Sequence, residues 1–233
     1  MERVDKILAN MGFGTRKEVK KLVRSGAVTL NGEVIKNSDI KIDEYKDVLA
    51  VFGENVEYRP YIYLMLNKPS GYVSAAVDNV YPTVVELAEG YEHYELFPVG
   101  RLDVDTEGLL ILTNDGKTAH KILSPKNHIP KDYYVQTSRP VTDGDTALLE
   151  QPMDLGDFIT MPAQVQEADG GVIIRIYEGK FHQVKRMFEK TDNSVTYLKR
   201  IKMGGICLDE GLAPGEIREL TADELSALTG EGK

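Results

Sequence analysis

The sequence predicts an α+β fold in two parts: a small helix–helix–hairpin segment, then a larger domain on a largely antiparallel mixed sheet. Three observations carry that prediction. Residues 1–41 hold two short amphipathic helical patterns and a hairpin signal. After Tyr61 the texture changes to short apolar runs of strand type, at residues 62–66, 109–112, 133–137, 172–177 and 195–198. Helical patterns at residues 117–123 and 183–189 fall between those runs, without the regular alternation of a βαβ series.

Taken in order, Val4, Ile7, Leu8 and Met11 have the i, i+3, i+4, i+7 spacing of an amphipathic helix, which Gly12-Phe13-Gly14 ends. Thr15 opens a second helix, with Glu18 at capping-box spacing and Val19, Leu22 and Val23 as its apolar stripe. At about 100° per residue, Arg16, Lys17, Lys20, Lys21 and Arg24 fall within one arc of roughly 140°, clear of that stripe. Ser25-Gly26 closes the helix, and residues 27–35 read as a hairpin around Asn31-Gly32. Residues 43–60 are polar and read as a linker or trailing strand ending at Arg59-Pro60. A boundary is therefore expected near 59, with domains at 1–59 and 60–233. At the other end Thr221 and Glu224 cap a last helix that turns Leu225 and Leu228 inward, and residues 230–233 are expected to fray.

Composition sets limits on function. The chain has 233 residues, 42% of them hydrophobic, and no apolar run long enough to span a bilayer. Its start is charged and lacks an apolar signal core, so a cytoplasmic protein without membrane association is expected. The one cysteine, Cys207, fits a reducing compartment and, within Ile206-Cys207-Leu208, is expected to be a small buried side chain. Four scattered histidines and one cysteine offer no zinc-type ligand cluster, so no metal is expected. The net charge of −9 argues against a general polyanion binder, yet residues 1–41 carry nine Lys/Arg against five Asp/Glu. Binding depends on the patch that meets the phosphates. A second group of cations, Lys180, Lys185, Arg186, Lys190, Lys199, Arg200 and Lys202, lies late in the chain. Charge alone leaves the helix arc open between a solvated face and a nucleic-acid contact.

The densest candidate chemistry is Gly100-Arg101-Leu102-Asp103-Val104-Asp105-Thr106-Glu107-Gly108, between apolar stretches at 96–99 and 109–113. As a calcium loop, Asp103, Asp105, Glu107 and Gly108 occupy template positions, but Asn114 stands where a bidentate Glu is required and the flanks read as strands. As a phosphoryl-transfer site it lacks further carboxylates downstream. As a plain solvated turn it needs no partner. The residues alone leave these readings open.

Longer stretches resemble known families. Residues 3–42, including GTRKEVKKLVRSGAVTLNG, resemble the S4 RNA-binding domain. That resemblance implies a phosphate-contacting helix face, here Arg16, Lys17, Lys20, Lys21 and Arg24. GRLDVDTEGLLILTNDG resembles the active-site signature of the RsuA/RluA group of pseudouridine synthases. So do LNKPSGYVSA at 66–75, KDYYV at 131–135, EGKFHQVKRMF at 178–188 and LKRIKMGGICLDEGLAPGEIREL at 198–220. The resemblance extends over almost the whole chain and is closest to the RsuA type, with KFHQVKRMF favouring a small-subunit enzyme.

The resemblance implies an enzyme that isomerises a uridine of ribosomal RNA, with uridine 516 of 16S rRNA as the expected target. The expected partner is 16S rRNA or a small-subunit assembly intermediate. The same chemistry on a 23S uridine, or a non-catalytic rRNA-binding assembly factor, are the alternatives. The reaction breaks C1′–N1, turns the uracil and joins C5 to C1′, with no redox change and no net hydrolysis, so no cofactor is expected. Asp103 matches the catalytic aspartate, which can stabilise or capture positive character at C1′. Lys185 stands where many relatives carry Arg and is implied to pair with Asp103, as a point charge in place of a planar fork. Tyr133 matches the active-site tyrosine, able to stack on uracil and carry a proton, while Tyr134 points to the opposite strand face. Arg101 matches an arginine that helps hold the target base out of its stack. His182 and Arg186 are expected to contact the RNA beside it.

Overall fold

The computed structural model describes residues 1–43 and 46–230, so residues 231–233 of the end expected to fray lie outside the described residues. Two compact units emerge, one of Met1–Ile62 with Gly90–Glu95, the other of Tyr63–Glu89 with Leu96–Lys233.

In the first unit, β1 (Glu2–Arg3) leads into α1 (Val4–Asn10), and α2 (Arg16–Ser25) follows after the Gly12-Phe13-Gly14 break. The capping box forms: Thr15 N donates to Glu18 Oε2 at 2.7 Å, and Glu18 N donates to Thr15 Oγ1 at 3.4 Å. Val4, Ile7, Leu8, Val19 and Val23 are fully buried and join one core cluster, as their helical spacing requires. The hairpin is β2 (Val28–Leu30) and β3 (Glu33–Val34), joined by Asn31 at φ 51° and Gly32 at φ 85°. Positive φ at both central residues is what a two-residue hairpin turn of this twist needs. After β4 (Lys41–Ile42), paired with β1, the polar stretch holds more structure than its composition announced. There β5 (Leu49–Val51) and β6 (Glu54–Asn55) complete a four-stranded sheet of order β3-β2-β5-β6. Leu49, Ala50 and Val51 are all buried, but three apolar residues between charged turns are too short a run to show a period. Tyr94, from the later segment, is buried in this unit with its hydroxyl 3.7 Å from Met11 Sδ.

The second unit is built on a sheet of order β11-β12-β10-β13-β9-β7-β15. Its strands are β7 (Tyr63–Lys68), β8 (Phe97–Pro98), β9 (Glu107–Thr113), β10 (Lys131–Thr137), β11 (Gln164–Ala168), β12 (Gly171–Ile176), β13 (Val195–Met203), β14 (Ile206–Cys207) and β15 (Ile217–Glu219). Strands β8 and β14 attach to β9 and β13 off the main path. All described pairs are antiparallel except β9 with β13. Both faces of the centre are covered: Met65, Leu109 and Ile111 join Ala119, Ile122 and Leu228 in one cluster, while the alternating Leu64, Leu66, Leu110 and Leu112 are equally buried. The helices are α3 (Gly116–Leu123), α4 (Asp143–Leu149), α5 (Gln183–Glu189) and α6 (Ala222–Thr229). Asp115 caps α3 by accepting from Lys117 N at 3.0 Å, and Thr221 with Glu224 forms the expected box on α6.

Two expectations change. Strand β13 runs well past Leu198, because its charged residues Lys199, Arg200 and Lys202 hide the strand period from a hydrophobicity reading. Cys207 is exposed, not buried. Strand alternation explains this: Ile206 turns into the core, so its neighbour must face outward.

Candidate active site

The loop from Arg101 to Thr106 is held from below by backbone and buried polar contacts. Lys68, at the end of β7, is fully buried and donates to the carbonyls of Thr106 at 2.8 Å, Pro69 at 3.0 Å and Val104 at 3.2 Å. Gly71 N donates to Val104 O at 2.8 Å. The buried Ser74 hydroxyl donates to Leu102 O at 2.9 Å and accepts from Leu102 N at 3.0 Å. Immediately after the loop, Gly108 pairs with Arg200 in the parallel ladder. A Cβ at Gly108 would sit 2.2 Å from Arg200 O, so only glycine lets β13 approach here. Burial pushes the Lys68 ammonium down to about 8, against the pull of Asp105, Glu107 and Asp103.

Above this frame Asp103 Oδ2 lies 3.1 Å from Lys185 Nζ, and its Oδ1 lies 3.5 Å from His182 Nε2. The same ammonium makes a shorter contact, 2.6 Å, with Asp105 Oδ1. Burial works against the charge of Lys185, but its hydrogen bonds to Asp105 and Asp103 outweigh burial and raise its pKa. A cation does sit between the loop carboxylates, and it is this lysine. Glu107 turns instead to Tyr197, whose hydroxyl donates to it at 2.7 Å, and strands flank the loop, so the calcium template fails.

Asp103, Lys185, Tyr133, Arg101 and His182 line one pocket, floored by Ile176 and Leu198. Tyr133 is buried to 6% exposure on β10, while Tyr134 faces the other way and donates to Asp169 O at 2.9 Å. Lys185 is carried by α5, whose Val184, Met187 and Phe188 are buried. His182 precedes that helix at φ 50°, a left-handed conformation uncommon outside glycine, with its ring stacked on exposed Phe181 at 3.8 Å. Arg186 differs from expectation. Its guanidinium pairs with Asp157, donates to Leu155 O and Phe181 O, and lies 5.6 Å from the Phe158 ring, so it is committed within the protein. Arg16, Lys17, Lys20, Lys21 and Arg24 are all exposed on α2 of the first unit, with Lys20 Nζ 3.9 Å from Asp39.

Residues 62–190 match the RNA pseudouridylate synthase family, and residues 2–44 match the S4 domain. The chain belongs to the RNA pseudouridylate synthase family. It is similar to an uncharacterised RNA pseudouridine synthase of Bacillus subtilis, at 47% identity over 97% of this chain and 98% of that one. It is also similar to ribosomal small subunit pseudouridine synthase A of Pasteurella multocida, at 41% identity over 96% of this chain and 98% of that one. A crystal structure of a pseudouridylate synthase superposes with a TM-score of 0.69 at 38% identity, covering 98% of this chain and all of the other. For a pseudouridylate synthase, the sequence reading left out the supports: Lys68, Ser74 and the buried Gln183, which donates to Glu178 Oε2 at 3.0 Å. It also left out Thr106, whose buried hydroxyl lines the pocket without a hydrogen-bond partner, and the exposed aromatic Phe181. LNKPSGYVSA carried a signal for Lys68 and Ser74, but only pairing of β7 with β9 reveals what they hold.

Proposed function

We propose that this synthase converts one uridine of 16S ribosomal RNA, uridine 516, to pseudouridine, with Asp103 as the carboxylate that acts at C1′. The observation that carries the reading is the Asp103–Lys185 contact at 3.1 Å in a pocket walled by Tyr133. The similarity to enzymes named for the small ribosomal subunit supports the choice of RNA. A carboxylate beside C1′ of an extruded uridine stabilises or captures the positive character that develops as C1′–N1 breaks. The uracil turns within the pocket and C5 joins C1′. C5 then loses its hydrogen as a proton and N1 ends protonated, so product and substrate are isomers. The Tyr133 phenol is placed to stack on the base and pass that proton. Lys185 sets a positive charge 3.1 Å from Asp103 Oδ2 and holds that carboxylate toward the pocket. Arg101, exposed at the rim, fills the space the base vacates.

The test is tritium release from RNA labelled at C5 of uridine. Asp103→Asn and Asp103→Ala should release none, with RNA affinity within a few-fold of wild type; activity in both variants would overturn the assignment. Pseudouridine mapping in cells lacking the protein should show loss at uridine 516 alone. Loss at a 23S position instead would reassign the target and keep the chemistry.

A further inference from the structure

Next to the first pocket lies a second cavity of about 190 Å³, which shares Arg101, Tyr133, Gly179 and Lys180 with it. Four cations line it, Arg101, Lys131, Lys180 and Arg200, against one acid, Glu178. Two of the cations are almost wholly buried: Arg200 is 2% exposed and Lys131 9%. Arg200 Nε donates to Leu109 O at 2.7 Å, but its Nη2 is buried with no hydrogen-bond partner. Lys131 Nζ donates to Ile129 O at 2.9 Å. Among the described residues no carboxylate pairs with either. Glu178 is engaged elsewhere, accepting from Gln183 Nε2 and Met161 N.

This arrangement is costly for an empty cavity. Burying a charge without a counterion is unfavourable, and two like charges side by side are worse. Burial and the neighbouring Arg200 push Lys131 down to about 8, and the pull of Glu178 does not offset them. Among the described residues Glu178 alone pulls on Lys131 from a distance, and no carboxylate forms an ion pair with Lys131 or Arg200. The free polar groups are donors, so the complementary ligand offers acceptors and negative charge, and a phosphate group does both.

We propose that Lys131 and Arg200 form a subsite for a phosphodiester of the RNA strand next to the target uridine. Tyr133, Arg101, Gly179 and Lys180 line both pockets, so a nucleotide in the first and a phosphate in the second are neighbours. The inference rests on the RNA substrate proposed above, and its test reads binding and stability so that it does not depend on turnover.

Wild type and Lys131→Met are compared by thermal unfolding with and without inorganic phosphate. Removal of a buried unpaired cation should raise the melting temperature of the free protein, and phosphate should raise it further in wild type only. A second comparison uses short hairpin RNAs with a neutral methylphosphonate at one linkage at a time around the uridine. At one linkage the wild type should lose about tenfold in affinity and roughly 0.7 from its salt slope. Lys131→Met should be about tenfold weaker on unmodified RNA and insensitive to that same linkage. Multiplying losses, or wild-type affinity in the variant, would overturn the proposal. Stabilisation by inorganic phosphate with every linkage silent would make this a free-anion site and also overturn it. Should Lys131→Met fail to fold, Lys131→Gln is held to the same outcomes. A protein that passed both comparisons but released no tritium would keep the subsite and lose the activity assignment.

Discussion

Asp103 and Asp105 share one ammonium, and the shorter contact goes to Asp105, which is 70% exposed. Asp105→Ala should therefore slow turnover only a few-fold, whereas Lys185→Met, which strips the cation from both, should slow it by a hundredfold or more in a tritium-release assay. The two adjacent tyrosines separate in the same assay. Tyr133→Phe removes the proposed proton carrier and should cost about a hundredfold in kcat. Tyr134→Phe breaks its hydrogen bond to Asp169 O, which should cost about 1 kcal/mol of stability and leave kcat within twofold. Lys68 acts through the loop. Replacing it with Met strands three carbonyls, each worth about 1–3 kcal/mol unsatisfied, partly offset by relief of a buried charge. Its folded-state value of about 8 lies below the ordinary 10.5, so the unfolded chain binds the proton more tightly. The penalty on folding is thus present below about pH 8 and relieved between 8 and 10.5. Denaturant titrations should show the Lys68→Met deficit widening across that window, and a constant deficit would mean Lys68 does not titrate there.

Among the elements, those with a local cause were readable from the residues. Thr15 with Glu18, Thr221 with Glu224 and Asn31-Gly32 each satisfy nearby backbone groups, so spacing alone placed two helix starts and a turn. The elements that were missed depend on distant partners. Residues 49–51 become a strand beside β2 and residues 54–55 pair with that strand in turn, while β13 extends past Leu198 because β9 and β10 flank it. For the same reason the carboxylate, lysine and tyrosine of the site came from resemblance, while Lys68, Ser74 and the Arg200 cavity needed the fold. Helix α6 illustrates a local element with a distant anchor: Glu224 caps it and also receives Arg218 at 2.7 Å. That guanidinium holds the Glu224 carboxyl down at about 2, below its ordinary 4.5. Stability from this pair is complete above pH 4.5 and is lost as pH falls toward 2. Amide exchange across residues 222–229 should accelerate over that window, and Glu224→Gln should exchange fast already at neutral pH.

For the molecule as a whole, the proposed division gives grip to the first unit and chemistry to the second. Replacing Lys17, Lys20 and Lys21 with Gln should weaken RNA binding and remove roughly 0.7–0.9 from the salt slope per lost phosphate contact. Turnover at saturating RNA should stay near wild type, because such binding is equal in ground and transition states. Unchanged affinity across a salt titration would reduce the arc to a solvated face, and lost turnover would mean that the first unit also orients the RNA. The parallel pairing of β9 with β13 reaches beyond catalysis, into the order in which the chain is made. Strand β9 must wait for β13, whose last residue is Met203, and β7 must wait for β15 at Ile217–Glu219. Contacts so distant in sequence form late. Until they do, an unfinished chain carries Asp103 on a loop beside an unpaired strand edge, sticky and without a pocket. A nascent chain could thus hold RNA before it could alter it, and isomerisation would be the last ability the growing polypeptide acquires.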